Sequence, residues 1–137
     1  MLHDDSSLND AGLIESGLQV LKHHAARGET LSLDDLHRKL GEPFDTGVPE
    51  RMDRLCEGIN AQHSTGTSLK LMISVLVRDD QTGLPGDGFF KLADRLGRLP
   101  WTDDAAARVA FVDEQERRVF MVYREAKAPV SGFAPYR

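Results

Sequence analysis

Few residues in this chain have types that do chemistry, and they are scattered. His23 and His24 are adjacent, His37 and His63 stand apart, Cys56 is the single cysteine, and Ser74 lies inside an apolar run. Neighbouring residues on a helix point about 100° apart, so His23 and His24 do not converge on one metal ion. Cys56 falls on or beside the apolar face of Met52, Leu55 and Ile59, which reads as a small core residue rather than a nucleophile. No nucleophile elbow surrounds Ser74, so it reads as a buried serine filling a polar gap. Asp79, Asp80 and Asp87 border a Gly-rich loop, but Phe90 stands where the chelating Glu of a calcium loop begun at Asp79 would fall. That loop also lacks the Gly-Lys-Ser/Thr ending of a phosphate cradle. The sequence therefore predicts no catalytic residue, no metal, no cofactor and no enzyme.

The chemistry that remains is charge. Arg51 and Arg54 fall on one predicted helix, with Arg38, Lys39, Lys70 and Arg78 nearby in sequence. Arginine suits both phosphate clamping and bidentate reading of guanine, so these six are the candidate contacts to double-stranded DNA. Residues 37–78 hold six Lys/Arg against five Asp/Glu, and Glu50 and Asp53 interleave with the arginines. A solvated face paired with itself explains that pattern equally well.

The elements that must position these residues can be read from periodicity. Residues 1–9 read as a disordered acidic arm, residues 10–127 as one domain, and residues 128–137 as a Pro/Gly-broken tail. Asp10 is a plausible cap for a first helix to about Arg27, with Leu13, Ile14, Leu18, Leu21 and Ala25 as its core stripe. A short extended piece, Glu29 to Leu31, leads to Ser32 as N-cap of a helix from Leu33 to Leu40, with Leu33, Leu36 and Leu40 inward. Pro49 begins a third helix to about His63, with Val48, Met52, Leu55, Cys56 and Ile59 on its apolar face. Leu69 to Val77 alternates as one long central strand, apolar on both faces. Phe89 to Leu96 predicts a fourth helix with Phe90, Ala93 and Leu96 inward. Residues 105–124 read as a long helix through Val109, Val112, Val119, Phe120 and Tyr123, or as a hairpin around Asp113–Glu116.

Helix, short extended piece, helix, turn, helix, long strand, glycine loop is the element order of a winged helix. The expected class is thus α+β, mostly helical, with a winged-helix-like helix-turn-helix, one central strand and a long C-terminal helix. Leu31-Ser32-Leu33 through Leu40-Gly41, with the segment Leu71 to Gly88, distantly resembles the DNA-binding domain of alkyltransferase-like proteins. Leu71-Met72-Ile73-Ser74-Val75 stands where that family carries its reactive cysteine and histidine, so no alkyl transfer is implied. Thr82-Gly83-Leu84-Pro85-Gly86-Asp87-Gly88-Phe89 is similar to a motif of small uncharacterised bacterial domains found near mobile elements and defence systems. That resemblance implies fold and context, and no activity.

The net charge is −5, and the first ten residues carry three aspartates with no Lys or Arg, leaving −2 for the rest. A near-neutral body fits DNA association and a protein partner equally. The acidic arm, Asp103–Asp104 and the aromatic tail residues Phe133 and Tyr136 support the second reading, an inhibitor, immunity-type or adaptor protein docking on a basic target. No membrane span is predicted. The lone cysteine and the lack of a secretion signal predict a bacterial-type cytoplasm.

Overall fold

Leu71 to Val77 is the most deeply buried stretch of the protein, every residue at 5% exposure or less. The computed structural model describes the backbone of residues 2–44, 49–67 and 71–131, and the side chains of 11–44, 50–66 and 71–124. Within them run α1 (Leu2–Arg27), β1 (Leu31–Ser32), α2 (Leu33–Lys39), α3 (Pro49–Thr67), a 3-10 turn (Ile73–Leu76), β2 (Val77–Arg78), α4 (Asp87–Arg95) and α5 (Ala105–Ser131). The described protein is mostly helical with one short two-stranded sheet. Helix α1 is assigned back to Leu2, ahead of the cap expected at Asp10. No described helix is long and apolar enough to cross a membrane.

The long central strand is corrected. Leu71 and Met72 have no regular structure, Ile73–Leu76 winds into a single 3-10 turn, and only Val77–Arg78 is strand. The burial was legible and the conformation was not. A run that is apolar on both sides carries no periodic signal separating a strand from a buried turn. Here α1, α3 and α5 close around it, and helices offer no free edge to hydrogen-bond a strand. The segment's backbone donors are met in other ways. Val75 N–H donates to Met72 O at 2.9 Å, Ser74 N–H to Asn60 Oδ1 at 2.9 Å, and Met72 N–H to Gln115 Oε1 at 3.1 Å. Asn60 and Gln115 are themselves buried, at 4% and 3% exposure. Buried backbone groups must be paired, so these two amides on α3 and α5 do the work of a neighbouring strand.

The expected short extended piece pairs beside the glycine loop. β1 and β2 run parallel, Leu31 against Val77 and Ser32 against Arg78. Ser32 also caps α2, its Oγ accepting from Asp35 N–H at 3.0 Å, which is one half of a capping box. Helix α2 packs on α1 and on the paired strands, whereas α3 packs on α1, the 3-10 turn and α4.

Leu18, Leu21 and Ala25 of α1, Leu36 of α2, and Met52, Leu55 and Ile59 of α3 are buried where the periodicity puts them; Val48 lies outside the described residues. Helices α1 and α3 cross closely because each offers the other a glycine. A Cβ on Gly17 would lie 2.6 Å from Ile59 Cδ1, and one on Gly58 would lie 2.6 Å from Ile14 Cδ1. Residues 105–124 are helical, which decides between helix and hairpin. Val112 and Val119 are buried in α5, and Phe89, Phe90 and Ala93 in α4. Two inward assignments are corrected: Leu96 is 50% exposed and Val109 is 41% exposed. Leu96 caps the end of α4 rather than lying on its face.

Candidate functional site

Three places were open to function: the cleft near Ser74, the basic set along α2 and α3, and the surface of α4 and α5.

The cleft lies between α3, β2 and the glycine loop, lined by Asp53, Cys56, Asn60, Ser74 and Gly88 among others. Its volume is about 50 Å³, room for a few water molecules and little else. Ser74 Oγ accepts from Asn60 Nδ2 at 2.8 Å, so the hydroxyl is tied to an amide and not to a base. The Cys56 thiol is pushed up to about 12, by burial first and then by Asp53 and Glu57, which keeps it protonated. Burial, with Glu50 and Glu57, raises the Asp53 carboxyl above its ordinary value. Its carboxyl carbon lies 2.6 Å from where a Gly88 Cβ would stand, so this glycine serves close approach rather than a turn. Gly83 alone of the loop's glycines has positive φ, +73°. The loop closes on itself through Gly83 N–H to Asp79 O and Asp79 N–H to Leu84 O, both 2.8 Å. No cluster of three metal-ligating side chains occurs among the described residues.

The described members of the basic set are not all turned outward. Arg78 turns inward: its guanidinium donates to Val75 O at 2.7 Å and Gly83 O at 3.0 Å, and pairs with Glu116. Arg38 pairs with Asp35 at 2.7 Å. Arg51 lies over the Phe44 ring, 4.6 Å from its centroid, and Phe44 stacks on His37. Arg54 and Lys39 are exposed, and Lys70 lies outside the described residues. The open groove beside β1 and β2 is lined by Asp35, Asp79 and Asp80, a poor neighbour for phosphate.

The α4–α5 corner is different in kind. Trp101, the only tryptophan, is 45% exposed, and Leu96, five residues before it at the end of α4, is 50% exposed. The Arg108 guanidinium lies 4.8 Å from the Trp101 ring centroid and 4.4 Å from that of Phe90. Its Nε donates to Thr102 O at 2.8 Å, and Trp101 N–H donates to Asp94 Oδ1 at 3.2 Å. Arg108 thus fixes an exposed indole between helix and loop. Asp94, Asp103 and Asp104 are exposed around it. Sequence reading passed over Trp101 and Arg108. The available signal was the lone tryptophan after Leu99-Pro100, between two amphipathic helices.

His63 is 1% exposed, and its Nε2 lies 2.6 Å from the Tyr123 hydroxyl, joining α3 to α5. Burial first, then Lys22, lowers its pKa from 6.5, and burial raises that of Tyr123. A histidine with a depressed folded pKa contributes stability that is present above its unfolded value and lost as pH falls through the folded one. Thermal melts should therefore show a midpoint that declines as pH falls below about 6.5, and His63→Gln should flatten that decline. An unchanged slope in the variant would assign the acid sensitivity elsewhere.

No family model, no curated protein and no solved structure matches this chain.

Proposed function

We propose that this chain is a non-enzymatic protein-binding domain. Its α4–α5 corner docks on a basic, partly apolar surface of a partner protein, as an inhibitor, immunity-type or adaptor protein does. The observation that carries this reading is Trp101, 45% exposed and held in place by Arg108, with Asp94 bonded to its backbone N–H and the exposed Leu96, Asp103 and Asp104 within five residues of it in sequence. Tryptophan in a rigid setting is the residue type that most often anchors an interface, and the acidic rim selects the partner's charge.

DNA association through a winged-helix-like arrangement is the second reading, and one observation favours it. Arg54 is exposed on α3 and makes no ion pair among the described residues, beside Arg51 on the same helix. Against it stand the inward Arg78 and the acidic groove by the paired strands.

The test is capture from extract of the source cells on the immobilised full chain. Trp101→Ala should lower recovery of captured protein roughly tenfold or more, the cost of a central aromatic anchor. Asp103→Lys with Asp104→Lys should also weaken it, while Arg51→Ala with Arg54→Ala should leave it intact. Recovery of duplex DNA that weakens steeply with salt, and is lost in the arginine variant, would replace this reading with the second.

A further inference from the structure

The outward face of α5 has a pattern that neither the fold nor the corner uses. Val112, Gln115 and Val119 are buried, facing α1 and the 3-10 turn. Opposite them, at about 100° a residue, lie Ala110, Asp113, Glu114, Arg117, Arg118 and Met121. Val109 and Val122 fall on the two flanks of the buried face, and Val122 packs against the core. The face reads apolar, acidic, basic, apolar. All six are exposed. Met121, at 47%, is one of the four large hydrophobic side chains most exposed among the described residues.

We infer that this face pairs with the same face of a second copy, the two α5 helices running antiparallel. The face is self-complementary. Residues four apart on a helix form one ridge of its surface, and the ridges Asp113, Arg117, Met121 and Ala110, Glu114, Arg118 exchange places when the helix is reversed, which sets acid against base and apolar against apolar. A two-fold axis passing between Gln115 and Glu116 brings Asp113 opposite Arg118, Glu114 opposite Arg117, and Ala110 opposite Met121. Such isologous contact is what a two-fold dimer requires. Acid and base blocks lie about 6 Å apart along the axis, and Ala110 and Met121 about 16 Å apart, so charge sits at the centre with apolar contact at both ends.

The plain alternative is pairing within the helix, for which Asp113–Arg117 and Glu114–Arg118 have the right spacing and order. Yet these four side chains form no ion pair within 4.0 Å among the described residues. The charges stay available to a second chain, and intrahelical pairing leaves the exposed Met121 without a purpose. This inference stands apart from the corner reading.

The test is sedimentation velocity of the full chain across a range of concentrations, with two variants. Asp113→Arg with Glu114→Arg makes the charged blocks wholly basic; Arg117→Glu with Arg118→Glu makes them wholly acidic. The wild type is expected to dimerise, each variant alone to shift at least tenfold towards monomer, and an equimolar mixture of the two to recover dimer. Recovery by mixing is a result no loss of folding produces. Met121→Ser, which leaves every charge in place, should also weaken the dimer. A wild type that stays monomeric at all concentrations overturns the inference, as does a mixture that fails to associate or variants that dimerise as the wild type does.

Discussion

Ile73→Ala is expected to destabilise the protein by about 2–5 kcal/mol, the range for truncating a fully buried aliphatic side chain that leaves a cavity. Ile73 is wholly buried at the start of the 3-10 turn, and three helices close on that turn. Few sites are less able to collapse. At a few degrees per kcal/mol in a domain of this size, the melting midpoint should fall by on the order of 10 °C. Urea unfolding followed by circular dichroism would give the cost directly. A loss below about 1 kcal/mol would mean that the turn is not the hub of the packing.

Asn60→Ala should be nearly as costly for a different reason. Asn60 accepts from Ser74 N–H and donates to Ser74 Oγ, with both residues almost fully buried. Alanine leaves the Ser74 N–H orphaned, at about 1–3 kcal/mol, and adds the loss of a packed side chain. Ser74→Ala keeps the backbone bond and should cost less, leaving only the Asn60 amide short of a partner. In a double-mutant cycle the two changes should fall short of additivity, because each removes part of the same pair. Equal costs that add fully would show that the amide does not hold the turn. A loss of activity towards some substrate in Ser74→Ala, at unchanged stability, would contradict the structural role given to this serine.

Most of the helices were legible because each carries a one-sided apolar stripe. Leu18, Leu21 and Ala25 in α1, and Met52, Leu55 and Ile59 in α3, fall inside as the 3.6-residue period demands. The central run was misread because β-branched Ile73, Val75 and Val77 favour a strand in isolation. What overrides that preference lies far away in sequence, in Asn60 and Gln115, polar residues set into apolar stripes. The corner was invisible for a related reason. Trp101, Phe90 and Arg108 come from three separate segments, and no local spacing announces that a guanidinium will lie between two rings. Arg78 shows the converse, since its charge suggested an outward contact while Val75 O, Gly83 O and Glu116 turn it inward. The outward face of α5, by contrast, is written plainly in its sequence once the helix is known, because its blocks recur at a spacing of four.

The proposed working surface is the α4–α5 corner and not the arginine-bearing start of α3. The most direct measurement is carbene footprinting of the purified chain against the same chain in extract of its source cells. Labelling of Leu96 and Trp101 is expected to fall in extract while labelling of the segment 50–57 is unchanged. Protection of Arg51 and Arg54 that disappears on nuclease treatment, with Trp101 labelled equally in both samples, would contradict it.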